Sequence, residues 1–211
     1  MNMLSSNDQP REWHPYPQSR TGPLFGGPAL AAAVDEADHV RGEANALVTL
    51  VQYADFECLN CLRAFPLLVR YLDEFRGTLR WVFRHFPLGW EHPASALAAR
   101  AAEAAARQGK FWEMHDELYR SAGMLHREAL HAHAASVGLD LGRFSTDLED
   151  PALIARIERD VASGRASSVN ATPTFFVDGA RYANSRNVEG LRDAIFEAAM
   201  RSAQRWAEGS G

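Results

Sequence analysis

Cysteine is nearly absent: the 211 residues contain two, Cys58 and Cys61, both inside the stretch "DFECLNC". That excludes a disulfide-stapled scaffold, which needs several pairs, and a four-cysteine zinc site, which needs a second Cys-x-x-Cys. Charge of one sign is never concentrated. Lys and Arg number 22 against 27 Asp and Glu, the net charge is −5, and there is no run of five or six like charges. A phosphate-tracking face, and with it nucleic acid as a partner, is therefore not expected. Apolar runs of 18 or more residues are missing, so no membrane span is expected. No Gly-rich dinucleotide loop occurs, and no cofactor beyond the protein's own thiols is expected. The first residues show no basic segment followed by an apolar one, the pattern of a secretory leader. The expected compartment is the cytoplasm, where thiols are kept reduced and a permanent structural disulfide is disfavoured.

Hydrophobic residues make up 46% and charged residues 23%, ordinary for a folded chain, and the length fits one domain. Proline crowds the start: Pro10, Pro15, Pro17, Pro23 and Pro28 fall within residues 1–45, read as a partly extended N-terminal arm. It is either a solvated tail or an arm that docks on a second subunit, making a homodimer, with Trp13, Tyr16 and Phe25 as the side chains it offers.

From residue 46 the pattern is regular. "ALVTLVQYA" (46–54) is apolar and β-branched, as in a strand buried on both faces. Leu62, Phe65, Leu68, Val69, Leu72 and Phe75 recur at helical spacing until Gly77. "TLRWVFRHF" (78–86) alternates Leu79, Trp81, Phe83 and His85 against Thr78, Arg80, Val82 and Arg84, so it reads as a second strand, and Pro87 ends it. Strand, helix and strand in that order predict a right-handed parallel βαβ unit. Residues from about 90 to 165 show no strand pattern and predict an all-helical block of four or five short helices. Alanine at nine of the thirteen positions 94–106 suits close helix contacts. "TPTFFVDGARYAN" predicts a hairpin turning at Asp178-Gly179, and a last helix follows.

The cysteines fall where the first strand hands over to the first helix. Two thiols at this spacing are open to four explanations: half a zinc site, a staple, a redox couple or an accident. His131 and His133, two apart, suit neither one helix face nor zinc-finger spacing, so no metal is expected. His85, His92 and His115 read as core-edge or surface residues. A redox couple fits the placement. At a helix N-terminus the first sulfur faces unpaired N–H groups and the positive end of the dipole, which favour thiolate. Cys58 is then the attacking group and Cys61, one turn on, the resolving one.

"VTLVQYADFECLNC", "LRWVFRHFPL", "HPASALAARAAEAA", "QGKFWEMHDELY" and "NATPTFFVDG", in this order, resemble the DsbA-like branch of the thioredoxin superfamily. They are most similar to the group that also occurs as a domain fused to sodium/proton antiporters. The resemblance runs from about His39 to about Ala199. It implies an α/β thioredoxin fold (βαβ…ββα) over 46–206, with the helical block as an inserted subdomain. It also implies Cys58 as nucleophile, Cys61 as buried partner, Pro66 as the kink proline, and Pro173 as a cis-proline beside the disulfide. Thr172 would offer backbone groups to an extended substrate chain. Two positions depart from the family. Leu59-Asn60 stands where Pro-Tyr or Pro-His is usual, and Gln52 stands where relatives often carry an acid that exchanges a proton with the buried thiol. Glutamine does not titrate. Either a water, Glu57 or Asp55 relays that proton, or attack by Cys61 is slow near neutral pH. Asp55 and Glu57 are otherwise expected only to complement the helix dipole.

The expected function is thiol:disulfide oxidoreduction on protein or peptide substrates, recycled by a second redox partner, with the direction of electron flow open. Two other readings accompany it: a glutathione-dependent transferase or isomerase of the kappa type, whose members generally carry serine at the Cys58 position, and a peptide-binding chaperone switched by its cysteines.

Overall fold

A computed structural model describes residues 23–89, 91–121 and 123–209. The seven-residue run Val48–Ala54 forms β2 and pairs in parallel with β3, Leu79–His85, in the register Leu50 to Trp81 and Gln52 to Phe83. Helix α1, Leu59–Glu74, is the crossover between them. On the other side of β2 lies β4, Thr174–Val177, antiparallel to it, followed by the two-residue β5, Ala180–Arg181. Asp178 and Gly179 both adopt positive φ, 48° and 78°, as a tight two-residue hairpin turn requires. The Asp178 carboxylate also accepts from the Thr49 N–H at 2.8 Å, tying the turn to β2.

A fifth strand, β1 (His39–Arg41), pairs antiparallel with β3, giving the order β1-β3-β2-β4-β5. It lies within the segment expected to be a solvated tail or an arm on another subunit. Residues 23–45 instead lie on this chain's own body. Phe25 bridges to Tyr182, and Leu30, Val34 and Val40 pack over Val51, Tyr53, Val82 and Phe176. Trp13 and Tyr16 lie outside the described residues. Because this segment and α6 cover the outer face of the sheet, β3 is buried on both sides.

Between β3 and β4 come five helices: α2 (Ser95–Ala106), α3 (Phe111–Arg120), α4 (Arg127–Ser136), α5 (Leu141–Leu148) and α6 (Pro151–Ala166). Eight of the twelve α2 residues are buried, so its alanines do let neighbouring helices approach. Asp140 and Asp150 cap α5 and α6 through side-chain acceptance from Arg143 and Ala152 N–H groups. Helix α7, Val188–Gly209, closes the fold against α1 and β2. The architecture is α/β, a thioredoxin-type sheet with helices on it. Among the described residues no helix is long and apolar enough to cross a membrane.

Candidate active site

Strand β2 ends at Ala54, and four residues later Cys58 caps α1 from an extended conformation (φ −72°, ψ 118°). This short turn aims the Cys58 sulfur along the helix start, where N–H groups have no partner within the helix. Cys61, one turn on, is fully buried. Both thiols are free. Pro66 sits inside α1, as the spacing implied. From the far end of the chain, the Thr172-Pro173 peptide, which is cis, brings the Thr172 carbonyl to 3.3 Å from Cys58 Sγ. Cys58, Cys61, Thr172 and Pro173 thus meet where the interior strands β2 and β4 end and begin.

The two thiols have opposite acidity. The Cys61 S–H donates to the Cys58 sulfur and lowers its pKa to about 5 against the opposing effect of burial; the Thr172 side chain and the N–H groups of Cys61 and Asn60 assist. Burial drives Cys61 far the other way, and its hydrogen bond to Cys58 adds to the rise. One sulfur is poised as thiolate and the other is held as thiol.

The remaining expected residues fall in different places. Leu59 and Asn60 form the exposed first turn of α1. Gln52 is buried in β2, where its side-chain carbonyl accepts from the Trp81 indole N–H at 3.0 Å. Glu57 does not serve α1: its carboxylate accepts from the Ala94 N–H at 2.7 Å, at the start of α2, so the dipole it complements is that of α2. Asp55 likewise does more than complement α1. Buried, it accepts from the Glu57 N–H, the Leu88 N–H and His92 Nδ1 at 2.8, 2.8 and 2.7 Å, while its backbone carbonyl accepts from the Cys58 N–H at 3.2 Å.

Of the histidines expected at the core edge or surface, His85 and His115 instead lie fully inside the protein, whereas His92 is half-buried and reaches the cysteine motif through Asp55. Sequence reasoning also missed Tyr119. It stacks on Phe65 and sends its hydroxyl toward the Asp55 carbonyl, and its own acidity is suppressed by burial and by the nearby Cys61, Asp55 and Cys58 charges.

His39, His85 and Glu103 bring three metal-ligating side chains together. Both imidazoles direct Nε2 at the same oxygen, Glu103 Oε1, at 2.7 and 2.9 Å, and the Arg156 guanidinium stands 4.0 Å from that oxygen. A carboxylate already shared by two N–H donors beside a cation is an anchor between β1, β3 and α2, and a poor place for a second cation.

The family model described as thioredoxin matches residues 34–197. Among curated relatives, the chain is 46% identical over 166 residues to the Na(+)/H(+) antiporter NhaA of Herminiimonas arsenicoxydans, covering 79% of this chain and 26% of the antiporter. It is also 46% identical over 170 residues to NhaA 1 of Salinispora arenicola, with 80% and 26% covered. The chain therefore spans about a quarter of these relatives' length. A crystal structure of a thioredoxin-like oxidoreductase from Silicibacter pomeroyi DSS-3 superposes with a TM-score of 0.70 at 31% identity, over 78% of this chain and 93% of that one. BdbD of Bacillus subtilis, also at TM-score 0.70 and covering 84% and 98%, shares the fold at 20% identity. With a family match over most of its length, and that fold around a Cys-x-x-Cys helix start, the chain belongs to the thioredoxin family.

Proposed function

We propose that the protein is a thiol:disulfide oxidoreductase with an oxidising poise, acting on protein or peptide chains through Cys58. The observation that carries this reading is the split in acidity between the two thiols, Cys58 near 5 and Cys61 far above its ordinary value. A thiolate held at about 5 favours the reduced enzyme by about 3 kcal/mol at pH 7, or ~60 mV of potential in a two-electron couple.

In the oxidised enzyme a substrate thiolate attacks Cys58 Sγ and breaks the Cys58–Cys61 bond. Cys61 leaves and takes up a proton, since burial disfavours its thiolate. A second substrate thiolate then attacks the substrate sulfur of the mixed disulfide. The substrate disulfide forms, and Cys58 departs as the thiolate its surroundings stabilise, a good leaving group. Two electrons pass from the substrate thiols to the cysteine pair. A second redox protein must reoxidise the pair. In the reverse direction Cys58 attacks and Cys61 resolves. An extended substrate segment would lie along the Thr172 backbone beside Cys58, and exposed Leu59 would form part of its bed.

The test is trapping. Cys61→Ala should accumulate a mixed disulfide on Cys58 when offered a peptide disulfide, seen as a mass adduct released by reductant. Cys58→Ala should form none and lose thiol exchange. Full exchange activity in Cys58→Ala would remove the assignment.

A further inference from the structure

The next step rests on Cys58 being the exchanging thiol and concerns the charge that keeps it ionised. Neither residue between the cysteines titrates, for they are Leu59 and Asn60, and Gln52 on β2 is engaged with Trp81. A cationic group nonetheless reaches the motif from elsewhere. His92 lies in the connection between β3 and α2, and its Nδ1 meets Asp55 Oδ2 at 2.7 Å. The same carboxylate is pinned by the Glu57 and Leu88 N–H groups, and the Asp55 backbone carbonyl accepts from Cys58 N–H. Imidazole, carboxylate, backbone and nucleophile thus form one bonded chain. The Asp55 carboxylate is wholly buried while the imidazole is 20% exposed, so the ring covers the carboxylate from the solvent side.

We propose that His92, carried by Asp55, is the cation this site uses in place of a titrating residue between the cysteines: a positioning residue that sustains the Cys58 thiolate.

The charged groups acting on His92 come from the cysteine motif and the turn before it. Asp55 leads, followed by Cys58 and Glu57, all negative when ionised; Glu91, its neighbour in the chain, is exposed. Burial opposes the imidazolium, but the Asp55 hydrogen bond and these charges raise its pKa above the ordinary 6.5. The charge is therefore present below that raised value and disappears as pH rises through it. Support for the Cys58 thiolate is greatest in mildly acidic solution and fades on the alkaline side.

The experiment uses the full reduced chain, with His92→Gln, which keeps a partner for Asp55 but no charge, and His92→Lys, which restores charge. Cys58 is followed by thiolate absorbance and by its iodoacetamide alkylation rate across pH. At about pH 5 the rate should fall ~3- to 10-fold in His92→Gln, the size of one unit charge acting across the protein–water boundary. It should return to within about twofold of wild type in His92→Lys. Equal rates in wild type and His92→Gln would overturn the proposal. An NMR titration of the unmodified protein tests it without a substitution. By linkage the His92 pKa should drop when oxidation consumes the thiolate, and the same value in both redox states overturns it. A wild-type Cys58 that titrates as an ordinary thiol sinks the oxidoreductase reading itself; an acidic Cys58 indifferent to both His92 variants sinks only this inference.

Discussion

Cys58 and Cys61 are one helical turn apart and differ in which form their surroundings favour, because one faces donors and the other faces apolar side chains. A parallel case of burial deciding protonation is His115. It sits among Phe56, Phe65, Trp81, Phe83, Phe111, Trp112 and Tyr119 with Nε2 unpartnered, and burial lowers its pKa to about 4. The unfolded chain therefore binds a proton between pH ~6.5 and ~4 that the folded chain does not. Stability is full above about pH 6.5 and declines by about 3 kcal/mol as pH falls through that window. His115→Phe should flatten this decline, read as urea midpoints at acid and neutral pH; an unchanged slope contradicts the assignment. At this scale the sequence showed the cysteines and their place at a helix start, because strand and helix periodicities meet there. It did not show that Asp55 joins His92 across 37 residues or that Gln52 binds Trp81, because such pairs exist only once strands are in register.

At the scale of elements, β3 shows how a strand can be legible without its cover. Arg84, on the more polar side of its alternation, is 1% exposed. The segment from Leu30 to Asp38 closes over it. Its guanidinium donates to both Asp38 oxygens, to the Ala32 and Ala33 carbonyls and to the Tyr53 hydroxyl. A three-residue edge strand and a proline-rich lead carry no periodicity, so nothing in the residue pattern marks this cover. Arg84→Met should cost about 3–5 kcal/mol by leaving Asp38 charged and buried, and adding Asp38→Leu should recover much of it. Equal denaturant midpoints for single and double variants would contradict the buried pair. Helix α6 approaches the same face so closely that a Cβ at Gly164 would lie 2.7 Å from the Phe86 ring and 3.1 Å from that of Tyr53. Gly164→Ala should therefore destabilise by about 1–3 kcal/mol although alanine is the better helix former. A stabilised variant would show that the contact is looser.

For the molecule as a whole, the order of strands and helices was legible because period-2 and period-3.6 patterns alternate cleanly from Val48 onward. The hairpin was legible from Asp178-Gly179. What escaped was the way residues 23–45 and the β3–α2 connection wrap the site's back and side, since both are irregular segments whose contacts are made by isolated polar groups. The result is a rigid frame, sheet and helical block, that presents one thiolate beside a backbone carbonyl and keeps its partner thiol dry. The account stands on that asymmetry. Its direct test is timed alkylation of the reduced wild-type protein, with Cys58 and Cys61 separated by peptide mass analysis at about pH 6 and about pH 8. The prediction is that Cys58 reacts at nearly the same rate at both values while Cys61 remains unmodified, as a thiol already ionised and a thiol buried must. Equal labelling of both cysteines, or a Cys58 rate rising about tenfold per pH unit over that range, would contradict it.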